Sequence, residues 1–328
     1  MQTGLGPVTL GDNVAAQLHA ESALDNCFLS HWGLDGLKPY MRYTLAGGYQ
    51  SNGENASGLS YCIKPSDGYR RNGTAMQEIR EAMDGLMGSP GHRDNILDRW
   101  HKKVNIGLAW DSYNFAVIQH FEGDYVEYEH RPTIRNGLLV LSGMAKNGVT
   151  FRVDDDLGVQ IYYDPPPHPL TQGQIVRTYC YDGGLLIAAL RPPLPEDWHY
   201  TEDEYTATDR QCPDPYDIPA DATAPWSPDE AHSIASFAQS AYDLRATKVV
   251  WITALQMSAQ GEKFSVQADL ADLVAKYGSG VYTITVWGSL DGEDVVISTY
   301  SIFRGVVPPD NYYDAKLADE TAGRRTEP

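Results

Sequence analysis

Ser89-Pro90-Gly91-His92-Arg93-Asp94-Asn95-Ile96-Leu97 reads as the opening of a helix. A serine hydroxyl can cap a first turn, and proline fits the first helical position, where its missing N–H costs nothing. His92 then lies in the first turn with its ring free to face a cleft. Just upstream, Thr74-Ala75-Met76-Gln77 is a capping box. It opens a helix whose stripe of Met76, Ile79, Met83, Leu86 and Met87 reads as core, and Gly88 ends it. Just downstream, Val104–Trp110 and Phe115–Phe121 read as an antiparallel strand pair around Asp111-Ser112-Tyr113-Asn114.

Nearer the start, residues 11–30 read as a helix capped by Asp12, with Val14, Ala15, Leu18, Leu24, Cys27 and Phe28 on its buried face. It runs into Phe28-Leu29-Ser30-His31-Trp32-Gly33. A loop-rich span follows, marked by Gly47-Gly48, Asn52-Gly53 and Gly58, and it carries Ser51-Asn52-Gly53-Glu54-Asn55-Ala56. The stretch 65–73 is polar and turn-rich. Helices flanking paired strands predict an α/β/α sandwich.

In this order the segments resemble the CAP family, the secreted domains named for cysteine-rich secretory proteins, antigen 5 and pathogenesis-related 1. The matching pieces are a helix ending in the pair Ser30-His31, Arg42 with Gly47-Gly48-Tyr49, and Gly53-Glu54-Asn55. Ser89 to Leu97, Ile106-Gly107-Leu108-Ala109 and Gln119-His120-Phe121 complete the set. The likeness spans about residues 8–130 and is closest in style to the bacterial, SCP-like members. It implies a central cleft in which two His and two Glu meet. By motif, His31, Glu54 and His92 fill three of these places. The family often has Trp-x-x-Glu on the preceding helix, where this chain has Leu86 and Ser89. The implied set is therefore His31, Glu54, Ser89 and His92. In some members the His pair binds zinc, so the resemblance offers His31 and His92 as ligands for Zn²⁺ and Glu54 as a candidate catalytic base. With one carboxylate fewer, such a site holds a divalent ion more weakly. The same residues can instead form a mutually satisfied polar cluster that fixes a fold without chemistry.

The chain has 328 residues, enough for two cores, and a net charge of −19. That charge repels nucleic acid and anionic membranes. No apolar run is long enough to span a bilayer, and Met1 to Pro7 does not read as a signal peptide. Cys27 and Cys62 fall in the first half, Cys180 and Cys212 in the second. Three pairings are open, and pairing within each half is the simplest. Disulfides, scarce Lys and abundant Tyr suit a secreted or cell-surface protein.

After residue 130 the texture changes. Leu138–Leu141, Val149–Val153, Val159–Tyr163, Ile175–Cys180 and Leu185–Leu190 read as strands of a β-rich region over 131–200. The span 201–243 is acidic and Pro-rich and reads as a linker or loop. Strands return over 244–306, with a crossing helix at Ala268–Tyr277, before a polar tail from 307 to 328. The fold class expected is α+β: a CAP-like α/β/α sandwich followed by a largely β, immunoglobulin-like sandwich region.

Other motifs carry less. Ser30 beside His31 on a helix does not face it, and no nucleophile elbow is present. Asp154-Asp155-Asp156 lacks the ligand spacing of a calcium loop and reads as a solvated turn. Histidines 19, 101, 120, 130, 168, 199 and 232 read as ordinary surface or core. The function expected is binding of a small amphiphile, glycan or protein in the His31/Glu54/His92 cleft. The alternatives are a structural subunit that self-assembles outside the cell and a Zn-dependent hydrolase.

Overall fold

The computed structural model describes residues 6–58, 61–62, 74–153, 158–225, 227, 229–230, 233–234 and 242–308. The segments 65–73 and 154–156, His232 and nearly all of the polar tail therefore lie outside the described residues.

Strand β1 (Thr9–Leu10) precedes helix α1 (Ala15–Asp25). Helix α2 (Pro39–Leu45) and strand β2 (Asn52–Ser57) follow, then helices α3 (Ala75–Gly88) and α4 (Pro90–Ile96). Strands β3 (Lys103–Trp110) and β4 (Phe115–Glu122) complete a four-stranded sheet of order β1-β3-β4-β2. Alternation along β4 sorts its two faces. Ile118 packs with Ala16 and Ala20 of α1, whereas the Gln119 amide points to Met83 of α3. Helices thus cover both faces, as the strand and helix pattern predicts. Close packing of α1 depends on small residues: a Cβ on Gly107 would lie 2.0 Å from the Ala16 carbonyl oxygen.

The helix borders differ from expectation. Helix α1 begins at Ala15, because the Asn13 side chain takes the Ala15 N–H and anchors to the Tyr43 and Ala46 carbonyls. Asp12 is not its cap. The helix stops at Asp25, and Cys27 adopts a left-handed φ of 55°. His31 therefore sits in a loop beyond the helix. Helix α2 was not apparent in a span read as loops; every residue of it is buried, so it shows no amphipathic stripe. The Thr74–Gln77 capping box forms as predicted. Ser89 holds the N-cap backbone position of α4, but its side chain makes no capping hydrogen bond.

The chain enters the β-rich half at β5 (Val126–Arg135) and continues through β6 (Leu138–Ala145), β7 (Thr150–Phe151) and β8 (Val159–Asp164). Ile175–Cys180 is not a strand. A short helix α5 (Gln172–Ile175) starts there instead, capped by a Thr171–Gln174 box like that of Thr74. Next come β9 (Leu185–Arg191), β10 (Glu204–Gln211), β11 (Asp243–Thr253), β12 (Gln256–Gln260) and β13 (Lys263–Asp269). Helix α6 (Ala271–Tyr277) crosses to the long pair β14 (Gly280–Leu290) and β15 (Glu293–Arg304). The acidic span 201–243 is thus not all linker: β10 lies within it as a sheet-edge strand.

Among the described residues these strands make two sheets, β12-β13-β6-β5 and a larger one of order β10-β11-β9-β8-β14-β15 to which β7 adds. Leu139, Leu141 and Val266 of the first share one buried cluster with Ile161, Ile187, Ile284 and Ile297 of the second. The two stretches on either side of residues 201–243 therefore build a single two-layer core. The fold is mixed α/β with several sheets. The cysteines pair within each half, Cys27 with Cys62 and Cys180 with Cys212. No helix among the described residues is long and apolar enough to cross a membrane.

The halves are closely joined. Helix α2 lies against the outer face of the larger sheet, where Leu37, Tyr40, Met41 and Leu45 pack with Val281. Lys38, 4% exposed, bridges Asp164 at 2.8 Å and Asp182 at 2.5 Å, and the Tyr40 hydroxyl donates to the second oxygen of Asp164.

Candidate functional site

Glu54 is the centre of the expected site. It stands on β2 directly opposite His120 of β4, so both side chains share the α1 face of the sheet. Glu54 is 4% exposed and His120 1%. A buried carboxylate at neutral pH only accepts, which makes its neighbours donors. Glu54 Oε1 accepts from His31 Nδ1 at 2.8 Å. Its Oε2 accepts from Arg42 Nη2 at 2.9 Å and from His120 Nε2 at 2.5 Å. Arg42, itself wholly buried on α2, sends Nη1 to the Leu37 carbonyl. Burial alone would raise the Glu54 carboxyl. The Arg42 and His120 charges and hydrogen bonds outweigh it and hold the group well below its usual value.

A fourth polar group borders the cluster. His19 of α1 is fully buried and bonds the Ser30 carbonyl through Nε2. Burial, reinforced by the Arg42 charge, pushes its pKa down to about 3. Nδ1 of His19, Nδ1 of His120 and Nε of Arg42 are buried without a hydrogen-bond partner among the described residues.

His31 is covered from the β-rich half. Tyr181 packs on its ring at 4.8 Å between centroids, and Tyr179 meets it edge-on at 6.4 Å. The backbone of this strap is tied down beside it. Ser30 Oγ donates to the Thr178 carbonyl at 2.5 Å, and the Trp32 indole N–H donates to the Cys180 carbonyl. The Ser30 hydroxyl also accepts the Trp32 N–H, so it is committed to structure.

His92 lies on α4 beside β2, the edge strand of its sheet. Its carbonyl accepts from the Asn55 amide, which is held in turn by Asn95. Burial and the neighbouring His31 lower the pKa of the His92 ring. His31 and Glu54 are thus in direct contact, whereas the His92 ring makes no hydrogen bond to either among the described residues. Ser89 is half-buried at the junction of α3 and α4, with no hydrogen bond to the other three.

Three residues of the cluster carried no role in the sequence reading. His120 was grouped with ordinary histidines, yet it interrupts a wholly buried strand and so demanded a partner. Arg42 on a buried helix made the same demand. Tyr181 is separated from His31 by 150 positions, and no local pattern announces the contact.

The donor set does not suit a zinc centre. Glu54 has both oxygens engaged by three side chains, which leaves the imidazoles of His31 and His92. Zinc sites take at least three protein ligands. Among the described residues no group of three or more His, Cys, Asp or Glu is arranged to hold a metal ion. Glu54 is also poorly placed to act as a catalytic base: three donors already hold its carboxylate, and its side chain is wholly buried.

The sequence matches no protein-family model, and no curated protein aligns with it significantly.

Proposed function

We propose that the chain is an extracellular CAP-like protein with an immunoglobulin-like β region joined to it, and that it works by binding a ligand, not by turnover. One observation carries the second half of this reading: the carboxylate of Glu54 is buried and held by Arg42, His31 and His120. The motif order, with His31 bonded to Glu54 and His92 close by, supports the CAP likeness. Both disulfides are compatible with an oxidising compartment. The cluster is a framework on which the strap from Thr178 to Asp182 is seated, and ligand contact falls to the surfaces beside it.

The test is a zinc titration by calorimetry on the intact chain and on His92→Ala, with an ester and peptide substrate screen run alongside. The expected result is no zinc binding that depends on His92 and no zinc-stimulated hydrolysis. Hydrolysis that rises with zinc and is abolished in a folded Glu54→Gln variant would overturn the reading.

A further inference from the structure

Beside the strap lies a second cleft, of about 450 Å³, at the seam between the two halves. Its floor is the outer face of the larger sheet. Thr283, Thr285 and Trp287 follow one another on that face of β14, and Tyr162 and Thr299 are their cross-strand neighbours. Its other wall includes Tyr40, Trp100 and Tyr181, the last being the ring that covers His31.

Its chemistry is one-sided. Rings of Tyr162, Tyr181, Trp100 and Trp287 line it, together with the carboxylates of Asp98, Asp209 and Asp294. Among the described residues no Lys or Arg lines it. Asp294 is neutralised by Arg152, and Arg99 stacks 4.2 Å from the Trp100 ring centre. Asp98 and Asp209 form no close ion pair among the described residues: Asp98 accepts the Trp100 N–H with Arg99 and His101 nearby, and Asp209 accepts the Arg210 N–H and stands opposite Arg245 in the ladder. The indole N–H of Trp287 and the hydroxyl of Tyr162 both turn to Gln160, which fixes the two rings side by side. Thr285 is 8% exposed, its hydroxyl has no hydrogen-bond partner among the described residues, and it opens into this cleft. A site of aromatic faces and carboxylates, two of them outside any close ion pair, attracts cations through ring quadrupoles and charge. The chain's net charge of −19 adds a long-range pull of the same sign.

We propose that the seam cleft binds a protonated alkyl amine, with Tyr162, Tyr181 and Trp287 stacking on its chain and Asp98 and Asp209 balancing its charge. Thr285 accepts an ammonium N–H, which selects an amine that still carries hydrogens over a quaternary one. The inference deepens the binding reading and rests on it.

The experiment is calorimetry with spermidine on the intact chain and on Asp209→Asn, Thr285→Val and Asp272→Asn. Asp272 is exposed in the first turn of α6, so its variant makes the same charge change outside the cleft. Thr285→Val keeps the shape of the side chain. Saturable binding near one amine per chain is expected, weakened about tenfold by Asp209→Asn and by Thr285→Val and less than about twofold by Asp272→Asn. Choline is expected to bind more weakly than spermidine. The proposal is overturned by no saturable binding, by equal losses in Asp209→Asn and Asp272→Asn, or by choline binding as tightly as spermidine. A neutral disaccharide or fatty acid that raises the melting temperature where spermidine does not would remove the amine and leave the binding reading standing.

Discussion

A single carboxylate, Glu54, holds two imidazoles and a guanidinium in fixed positions, and the titration of its surroundings follows from that burial. His19, next to the cluster, is neutral in the native state, with a pKa of about 3 against 6.5 when unfolded. Between these values the unfolded chain binds a proton that the native chain refuses, so stability falls as pH drops from about 6.5 towards 3. The full effect is on the order of 5 kcal/mol. His92, also depressed by burial, acts in the same direction. The Glu54 carboxyl is held below its usual 4.5, so its contribution is complete above that pH and is lost as pH falls further. Urea unfolding across pH 3 to 7 is expected to show this acid loss, and His19→Gln is expected to flatten it above pH 4.5. A profile unchanged by His19→Gln would refute the assignment. Glu54 was legible in the sequence only through its motif. Its partners Arg42 and His120 stood in matching pieces of the motif set without a role of their own, and nothing local said that the two would meet.

At the scale of elements, the sequence announced those parts that carry their own signals. Capping residues marked α3, and apolar runs bounded by turns marked β3, β4, β6, β8, β9 and β14. Helix α2 is buried all round and β10 is an edge strand of alternating polar residues, so neither displays the expected pattern. The strap from Thr178 to Asp182 was misread because its hydrophobic residues serve contacts with the other half, not a ladder. Cys180–Cys212 ties this strap to the end of β10, and Asp182 accepts the Cys212 N–H as well. A Cys180→Ser/Cys212→Ser double variant is expected to cost about 4 kcal/mol, the loop-closure value for a crosslink of this span. It should also expose Tyr181 and weaken spermidine binding, because that ring belongs to the cleft wall. Unchanged stability and unchanged binding would show that the strap is held by its other contacts alone.

For the whole molecule, the seam between the halves is built from buried polar groups as much as from apolar ones. Lys38 is the clearest case. Burial opposes its charge, yet Asp164 and Asp182 keep its pKa above the ordinary value. Removing one partner of such a pair leaves the other charge buried and uncompensated, which costs about 3–5 kcal/mol. Lys38→Met is expected to lose that much in urea unfolding, with both halves melting in one transition; a loss under about 1 kcal/mol would mean that the seam is held by apolar contacts. The arrangement of halves was not legible in the sequence, since Lys38 lies more than a hundred positions from both Asp164 and Asp182. The same coupling places the framework around Glu54 at the junction, where loss of its carboxylate charge should be felt by the entire fold. The measurement that tests this most directly is the unfolding free energy of Glu54→Gln beside that of the unaltered chain. A loss of about 3 kcal/mol or more is expected, because Arg42 would remain buried without its counter-charge. Unaltered stability, accompanied by loss of a measurable hydrolytic activity, would contradict the account and return Glu54 to catalysis.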